Sequence, residues 1–440
     1  MALSLAILLQ ARAVKHAVGT WIYPACLYGL FWFAFTLFPV VLVPGTYSSP
    51  YAVGYILANC LAVSLGGRFV SFAQSYRSAP SFEEHDRRVF SSPMVQLIFV
   101  GCVISALACL MVDATIQGVS LSALTSDFFA VSNSFMSARY SDDIISNVFS
   151  QLATVLNYLA SFIGGLIYWA ISDRAERWKK AALILMTFVP SIFVLTVQAA
   201  KGTIFLSLAL FVSGILLCRA RSKQDLPINW GTFLIGVRYA AVLLPFLVLS
   251  FISRGLYEAR SFDDLTFTLR RNFTSYALGH IYAFSDWFDY TIMTIRGVGF
   301  YRIEDETYGF YTFMSIFRAL GDDRFVPGGV FDEYYDDGLF VSTNIYTVFR
   351  SQITDFTLLG SLIFAVFISS FIHLSFRNAV VNYASPLSTS VFVLFCGFLA
   401  SSYIISVLIW DSVYALFFAI AAFLVVARGG QGMRRGAWVR

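Results

Sequence analysis

Thr343-Asn344-Ile345-Tyr346-Thr347-Val348-Phe349-Arg350, followed by Asp355-Phe356-Thr357-Leu358-Leu359-Gly360, carries the chain out of a polar stretch and into an apolar one. It closes Arg254–Asp355, a polar island between strongly apolar segments. The island holds nine arginines (Arg254, Arg260, Arg270, Arg271, Arg296, Arg302, Arg318, Arg324 and Arg350), no lysine and 15 acidic residues. Outward from the island, the chain is almost continuously membrane-like. Its 440 residues are 58% hydrophobic and 13% charged, where soluble domains average about 25% charged. The mean hydropathy is +0.72. Folding cannot hide that much apolar surface from water, so the composition excludes a soluble protein and predicts an all-α polytopic membrane protein.

Crossing a bilayer takes about 20 apolar residues. At that length ten segments qualify: 21–44, 50–67, 92–112, 150–171, 181–198, 202–218, 232–253, 356–375, 387–407 and 409–427. Met1–Gln10 is apolar but short, and lacks the basic start and cleavage site of a secretory signal. It reads as an interfacial helix, and the count rises to eleven if residues 1–11 also cross. The chain thus divides into an N-terminal transmembrane region of seven spans (1–253), a large loop with interfacial helices (254–355), and three C-terminal spans with a basic tail (356–440).

Lysine and arginine in the short loops set the orientation. With the N-terminus in the cytoplasm, inside segments hold 18 of these residues, and outside segments other than the long loop hold only Arg139 and Lys201. Both termini are expected in the cytoplasm, and the loop faces outward. The formal charge of +4 is sorted by side rather than summed, and no nucleic-acid partner is expected; the lipid bilayer is. The spans are nearly free of ionisable residues: Arg238 can snorkel, and Asp411 lies at an outer turn. An ion-coupled transporter needs such groups at membrane depth, so their scarcity argues against a pump. All six cysteines lie in expected spans, and the four histidines share no zinc-type spacing, so neither a disulfide framework nor a metal centre is expected.

An outward site fed by lipid-linked sugars needs cations for a pyrophosphate, a base for the acceptor hydroxyl, and aromatic faces and carboxylates for the sugars. Guanidinium suits the first need, because its planar fork donates two parallel hydrogen bonds and stays charged. The apolar-polar run Ser275–Ile295 is about long enough to span. It carries His280, Asp286 and Asp289, so an interfacial or partly re-entrant helix is the better reading.

The Thr-Asn-Ile-Tyr-Thr pattern followed by Arg350, with Asp355-Phe356 and Gly360 opening the next span, resembles the O-antigen polymerase (Wzy) family of bacterial surface-polysaccharide enzymes. So does the arrangement of ten spans with one large outward loop before the last three. Gln198-Ala199-Ala200-Lys201-Gly202 lies where that family often has a small-residue turn with arginine, and lysine here is a departure. The related O-antigen ligases usually read His-Asn-x-Tyr; Thr343 stands in place of that histidine. The departure favours polymerase over ligase and leaves the base unassigned.

The resemblance implies a GT-C-like membrane fold in the bacterial inner membrane. It also implies transfer between two polyprenyl-pyrophosphate-linked oligosaccharides with inversion, and a chain-length regulator and flippase as companions; an arginine-rich phosphate site does not require a metal, so no metal and no cofactor are expected. On that reading Arg254, at the outer end of the seventh span, is the first choice for pyrophosphate, and Arg270 or Arg271 the second. Lys201, Asn344, Tyr346 and Arg350 are further binding residues. His280, as the lone outward histidine, and Asp286 are rival bases. Loop salt bridges are the bland alternative for each arginine, and bracing of the loop against the eighth span is the bland alternative for Asn344 and Tyr346. The competing functions are a ligase, a lipid-linked oligosaccharide flippase and a non-catalytic scaffold.

Overall fold

The computed structural model describes residues 1–120, 122, 126, 128–140, 145–171, 177–198, 200–227, 245, 248, 261–295, 299, 301–302, 305–327, 329–383 and 385–436. The described chain is 75% helical. In order, its helices are α1 (Ala2–Val18), α2 (Pro24–Leu42), α3 (Pro50–Arg68), α4 (Phe72–Ser78), α5 (Glu83–Phe90), α6 (Pro93–Ile116), α7 (Phe128–Tyr140), α8 (Val148–Ala170), α9 (Arg177–Val197), α10 (Lys201–Arg221), α11 (Phe262–Ala277), α12 (His280–Thr291), α13 (Met314–Ala319), α14 (Thr347–Val380), α15 (Pro386–Ser401) and α16 (Asp411–Gly436). Two short strands, β1 (Tyr335–Asp336) and β2 (Ser342–Thr343), pair antiparallel, Tyr335 opposite Thr343.

Among the described residues eight helices are long and apolar enough to cross a membrane: α2, α3, α6, α8, α9, α10, α14 and the Asp411–Gly429 part of α16. The protein is an all-α polytopic membrane protein. Apart from residues 245 and 248, the expected span 232–253 lies outside the described residues, as does Arg254. The expected span 387–407 is shorter: α15 ends at Ser401, whose carbonyl accepts the Ile404 and Ile405 N–H groups in a turn. The expected single helix over Ser275–Ile295 breaks at Leu278-Gly279, leaving α11 and α12.

Sequence chemistry explains where helices start. Ser49-Pro50, Ser92-Pro93 and Ser385-Pro386 each place a serine cap before a proline at the first helical position. Their hydroxyls accept from Ala52 N (3.3 Å), Val95 N (3.4 Å) and Ser388 N (3.2 Å). Asn147 caps α8 in the same way through Ser150 N at 3.0 Å.

The described chain forms two compact units: Met1–Ser75 with Gly255–Leu374 and Phe398–Asp411, and Tyr76–Arg254 with Ser375–Gly397 and Ser412–Arg440. In the second unit, glycines let α8 and α10 touch backbone to backbone, the device expected where lipid offers no hydrophobic drive for helix association. A Cβ at Gly165 would lie 1.9 Å from the Phe211 carbonyl oxygen, and one at Gly214 would lie 2.7 Å from that of Phe162. A buried polar triad adds a hydrogen-bonded tie across α8, α9 and α10. Asn157 Nδ2 donates to Ser207 Oγ at 3.1 Å, and Ser191 Oγ bonds Asn157 Oδ1 at 3.0 Å and Ser207 Oγ at 2.7 Å.

In the first unit α3 meets α14 the same way: a Cβ at Gly66 would clash with Ser369 and with the Val366 carbonyl. Short connecting segments and helix ends converge here on the large loop. Tyr47 and Ser49 hydroxyls donate to Asp289 at 3.1 and 2.5 Å, Tyr282 Oη donates to Val43 O at 3.2 Å, and Ser406 Oγ donates to Thr312 O at 3.3 Å. Ser315 Oγ bonds Asp411. Each partner comes from a segment that the charge count assigns to the outer side.

Candidate functional site

Helix α14 begins nine residues before the expected 356 and bends inside. Thr357 has φ 63 and ψ 173, and Thr347, at the helix start, has φ 51. β-Branched residues rarely adopt positive φ, so the surroundings must hold these two in place. Between them lie Arg350 and Asp355, both 1% exposed.

Asp355 binds the loop. Its Oδ1 accepts from Thr307 Oγ1 (2.5 Å) and Tyr311 N (3.0 Å), and its Oδ2 from Thr312 N (2.7 Å) and Thr312 Oγ1 (2.6 Å). Four donors satisfy the carboxylate, and residues 307–312 are thereby pinned to the start of α14.

Arg350 is held differently. Its Nη2 donates to Glu333 Oε2 at 2.9 Å. Its guanidinium carbon sits 3.8 Å from the Phe331 ring centroid, 4.3 Å from Tyr346, 5.5 Å from Trp287 and 5.8 Å from Tyr301. Aromatic faces attract the cation while they strip its water. Its Nε and Nη1 are buried and have no hydrogen-bond partner among the described residues. A buried guanidinium with unused donors is costly to hold.

The Thr-Asn-Ile-Tyr motif builds this cage. Asn344 Nδ2 donates to Phe331 O at 3.2 Å and Tyr346 Oη to Glu333 O at 3.0 Å, so both fix the strand of chain that carries Phe331 and Glu333. Thr343 Oγ1 accepts from Ile345 N at 3.1 Å, a local turn contact. Asp286, on α12, accepts on Oδ2 from Tyr301 Oη at 2.8 Å and Gly299 N at 2.9 Å. Tyr301 therefore links Asp286 to the Arg350 cage. Burial, then the nearby Tyr346 and Asp286, push the Tyr301 phenol far above its ordinary range, so it stays a donor.

The other expected site residues fall elsewhere. His280 is fully buried, with Nε2 2.9 Å from Phe35 O, so that nitrogen carries the proton. Burial lowers its pKa to about 4, opposed only in part by the Phe35 and Ala277 carbonyls. It is suited to bracing α12 against α2 and Tyr403, whose ring lies 5.5 Å away. Arg271 pairs with Asp336 at 3.0 Å on the surface, and Arg270 stacks 4.0 Å over Phe340. Arg302 and Arg324 are paired with Asp332 and Asp322. Lys201, the first residue of α10, is buried in the second unit.

Trp287, Tyr301, Phe331 and Glu333 complete the cage without having been singled out by sequence. For Phe331 and Glu333 the one signal is the run Phe331-Asp332-Glu333-Tyr334-Tyr335, in which acidic and aromatic residues lie together. Among the described residues no three His, Cys, Asp or Glu side chains group to hold a metal ion. The chain matches no protein-family model, no curated protein and no solved structure.

Proposed function

We propose that this protein is a membrane glycosyltransferase of the O-antigen polymerase type. It joins polyprenyl-pyrophosphate-linked repeat units on the outer face of a bacterial cytoplasmic membrane. One observation carries the reading: the motif residues Asn344, Tyr346 and Arg350 build a buried cationic, aromatic-walled cage linked through Tyr301 to a carboxylate. Cation, carboxylate and aromatic faces are the three groups that transfer from a lipid pyrophosphate requires.

In this proposal Arg350 takes the pyrophosphate through Nε and Nη1, and Asp286 is the base. The acceptor hydroxyl oxygen attacks the anomeric carbon as its proton passes to Asp286. The bond from that carbon to the pyrophosphate oxygen breaks, and its electron pair leaves with the pyrophosphate beside Arg350. Attack opposite the leaving group inverts the centre. Guanidinium charge does the electrostatic work, so no metal and no cofactor is invoked. Ten spans complete the proposed GT-C-like topology: the eight long helices, α15, and residues 232–253. Both termini are cytoplasmic, and a chain-length regulator and a flippase act alongside.

The test is reconstitution with a lipid-linked repeat unit in excess chelator, followed by gel analysis. A ladder of lengths is expected. Arg350→Lys should slow transfer by about 10²–10³, the cost of one electrostatic donor at a developing negative charge. A single transfer to a second lipid would indicate a ligase, and translocation without transfer a flippase.

A further inference from the structure

In the second unit, four segments that the charge count assigns to the cytoplasmic side meet around Tyr383. They are α5 with Asp86, the last residue of α10 (Arg221), the turn after α14 (Tyr383), and α16 with Arg428. Tyr383 Oη donates to Asp86 Oδ1 at 2.7 Å, and Arg221 Nη1 lies 3.8 Å from the same oxygen. The guanidinium carbons of Arg221 and Arg428 each sit 4.6 Å from the Tyr383 ring centroid. Arg221 is also fixed by Nε to Ala379 O at 2.9 Å and by Nη2 to Thr389 Oγ1 at 3.1 Å. The Asp86 and Arg221 side chains are both 0% exposed.

The charge in this cluster does not balance. Two guanidiniums share one tyrosine ring and one carboxylate. Burial raises the Asp86 pKa, against the pull of Arg221 and Tyr383, which further weakens it as a counter-charge. The buried Nη1 of Arg221 and Nη2 of Arg428 have no hydrogen-bond partner among the described residues. Tyr383 and Arg428 are only half-buried, so the cluster can be reached past them.

From this we infer that the Arg221–Tyr383–Arg428 cluster is a binding site for one phosphate group, entered from the side that the charge count assigns to the cytoplasm. Two forked guanidiniums with open N–H groups match the oxygens of a phosphate. Arg221 and Arg428 lie at the ends of the apolar segments Lys201–Arg221 and Asp411–Gly429, where lipid headgroups are expected, so a phospholipid or free phosphate can supply the group. The site is independent of the transfer chemistry proposed above.

The test uses the full-length protein, delipidated in detergent. Inorganic phosphate, a short-chain phosphatidylglycerol and the matching diacylglycerol are titrated separately, with native mass spectrometry and thermal melting as readouts. Saturable one-to-one binding of the phosphate-bearing lipid, but not of diacylglycerol, is expected. Binding of inorganic phosphate as well would assign the site to free phosphate. Arg428→Gln leaves the Asp86–Arg221 pair intact and should weaken binding by about tenfold to a hundredfold, the loss of a charged hydrogen-bond donor; Arg428→Lys should recover part of it. No binding of either phosphate source, or equal binding by wild type and Arg428→Gln, would overturn the inference and leave a structural ion cluster.

Discussion

Asp355→Asn is the sharpest test of how α14 organises the loop. The change keeps the side chain's size and shape but leaves one acceptor oxygen where there were two. The Thr307 and Thr312 hydroxyls can rotate and accept from the new amide NH₂. The backbone N–H groups of Tyr311 and Thr312 cannot, and they address different oxygens, Oδ1 and Oδ2. One of them is left facing an NH₂ group. An orphaned buried donor costs about 1–3 kcal/mol, and the surviving bonds lose the extra strength of a charged acceptor. The local loss comes to about 3 kcal/mol, or about a hundredfold in the opening equilibrium. Hydrogen exchange read by mass spectrometry on peptides covering residues 305–315 should therefore quicken by about that factor. Peptides from α8 should be unchanged, and Thr312→Val should produce a smaller effect in the same peptides. If exchange at 305–315 stays the same in Asp355→Asn, this carboxylate does not hold the loop and the account of the kinked helix fails.

Three further changes probe other parts of the molecule. Gly165→Ala should destabilise the protein in detergent by about 3 kcal/mol, because its Cβ would meet the Phe211 carbonyl oxygen at 1.9 Å, whereas Gly101→Ala, with nothing within 4 Å, should be neutral or mildly stabilising in a melting comparison. His280 titrates at about 4 when folded and at 6.5 otherwise, so the unfolded chain binds the extra proton between those values. The stability from neutral His280 is whole above pH 6.5 and is lost as the pH falls toward 4, by at most about 3 kcal/mol. His280→Gln should flatten that pH profile and keep transfer activity, and lost activity with normal melting would return His280 to the chemistry. Arg271→Ala removes an ion pair whose side chains are 42% and 45% exposed, so melting should move by less than about 1 kcal/mol and transfer should persist.

Most of the spans were legible because the membrane imposes a length and an apolar composition on any helix that crosses it. Ser-Pro pairs coincide with the starts of α3, α6 and α15, since capping and proline geometry are local. What escaped was set by tertiary contact. The start of α14 at Thr347 is invisible to hydropathy, because residues 347–355 are polar and are held as helix by Asp355 and by Val348 N donating to Ser402 O at 2.8 Å. The early stop of α15 depends on serine hydroxyls turning back on the backbone. The break at Leu278-Gly279 fits glycine's position: a Cβ there would meet Ser275 O at 2.5 Å.

At the site the residue types are legible in the sequence, while their burial and partners are not. Arginines 270, 271, 302, 324 and 350 look alike in sequence, and only burial separates them. Four of them stack or pair in solvent, where water screens their charge, while Arg350 is 1% exposed against four aromatic rings. His280, one of the two rival bases, is likewise placed by burial. An outward histidine is poised near neutral pH only if water reaches it, and His280 lies fully buried against Phe35 and Tyr403. Burial thus acts oppositely on the two residues. It favours the neutral imidazole of His280. It leaves the Arg350 guanidinium dependent on a nearby counter-charge and on ring faces, which Glu333 and the aromatic residues around it supply.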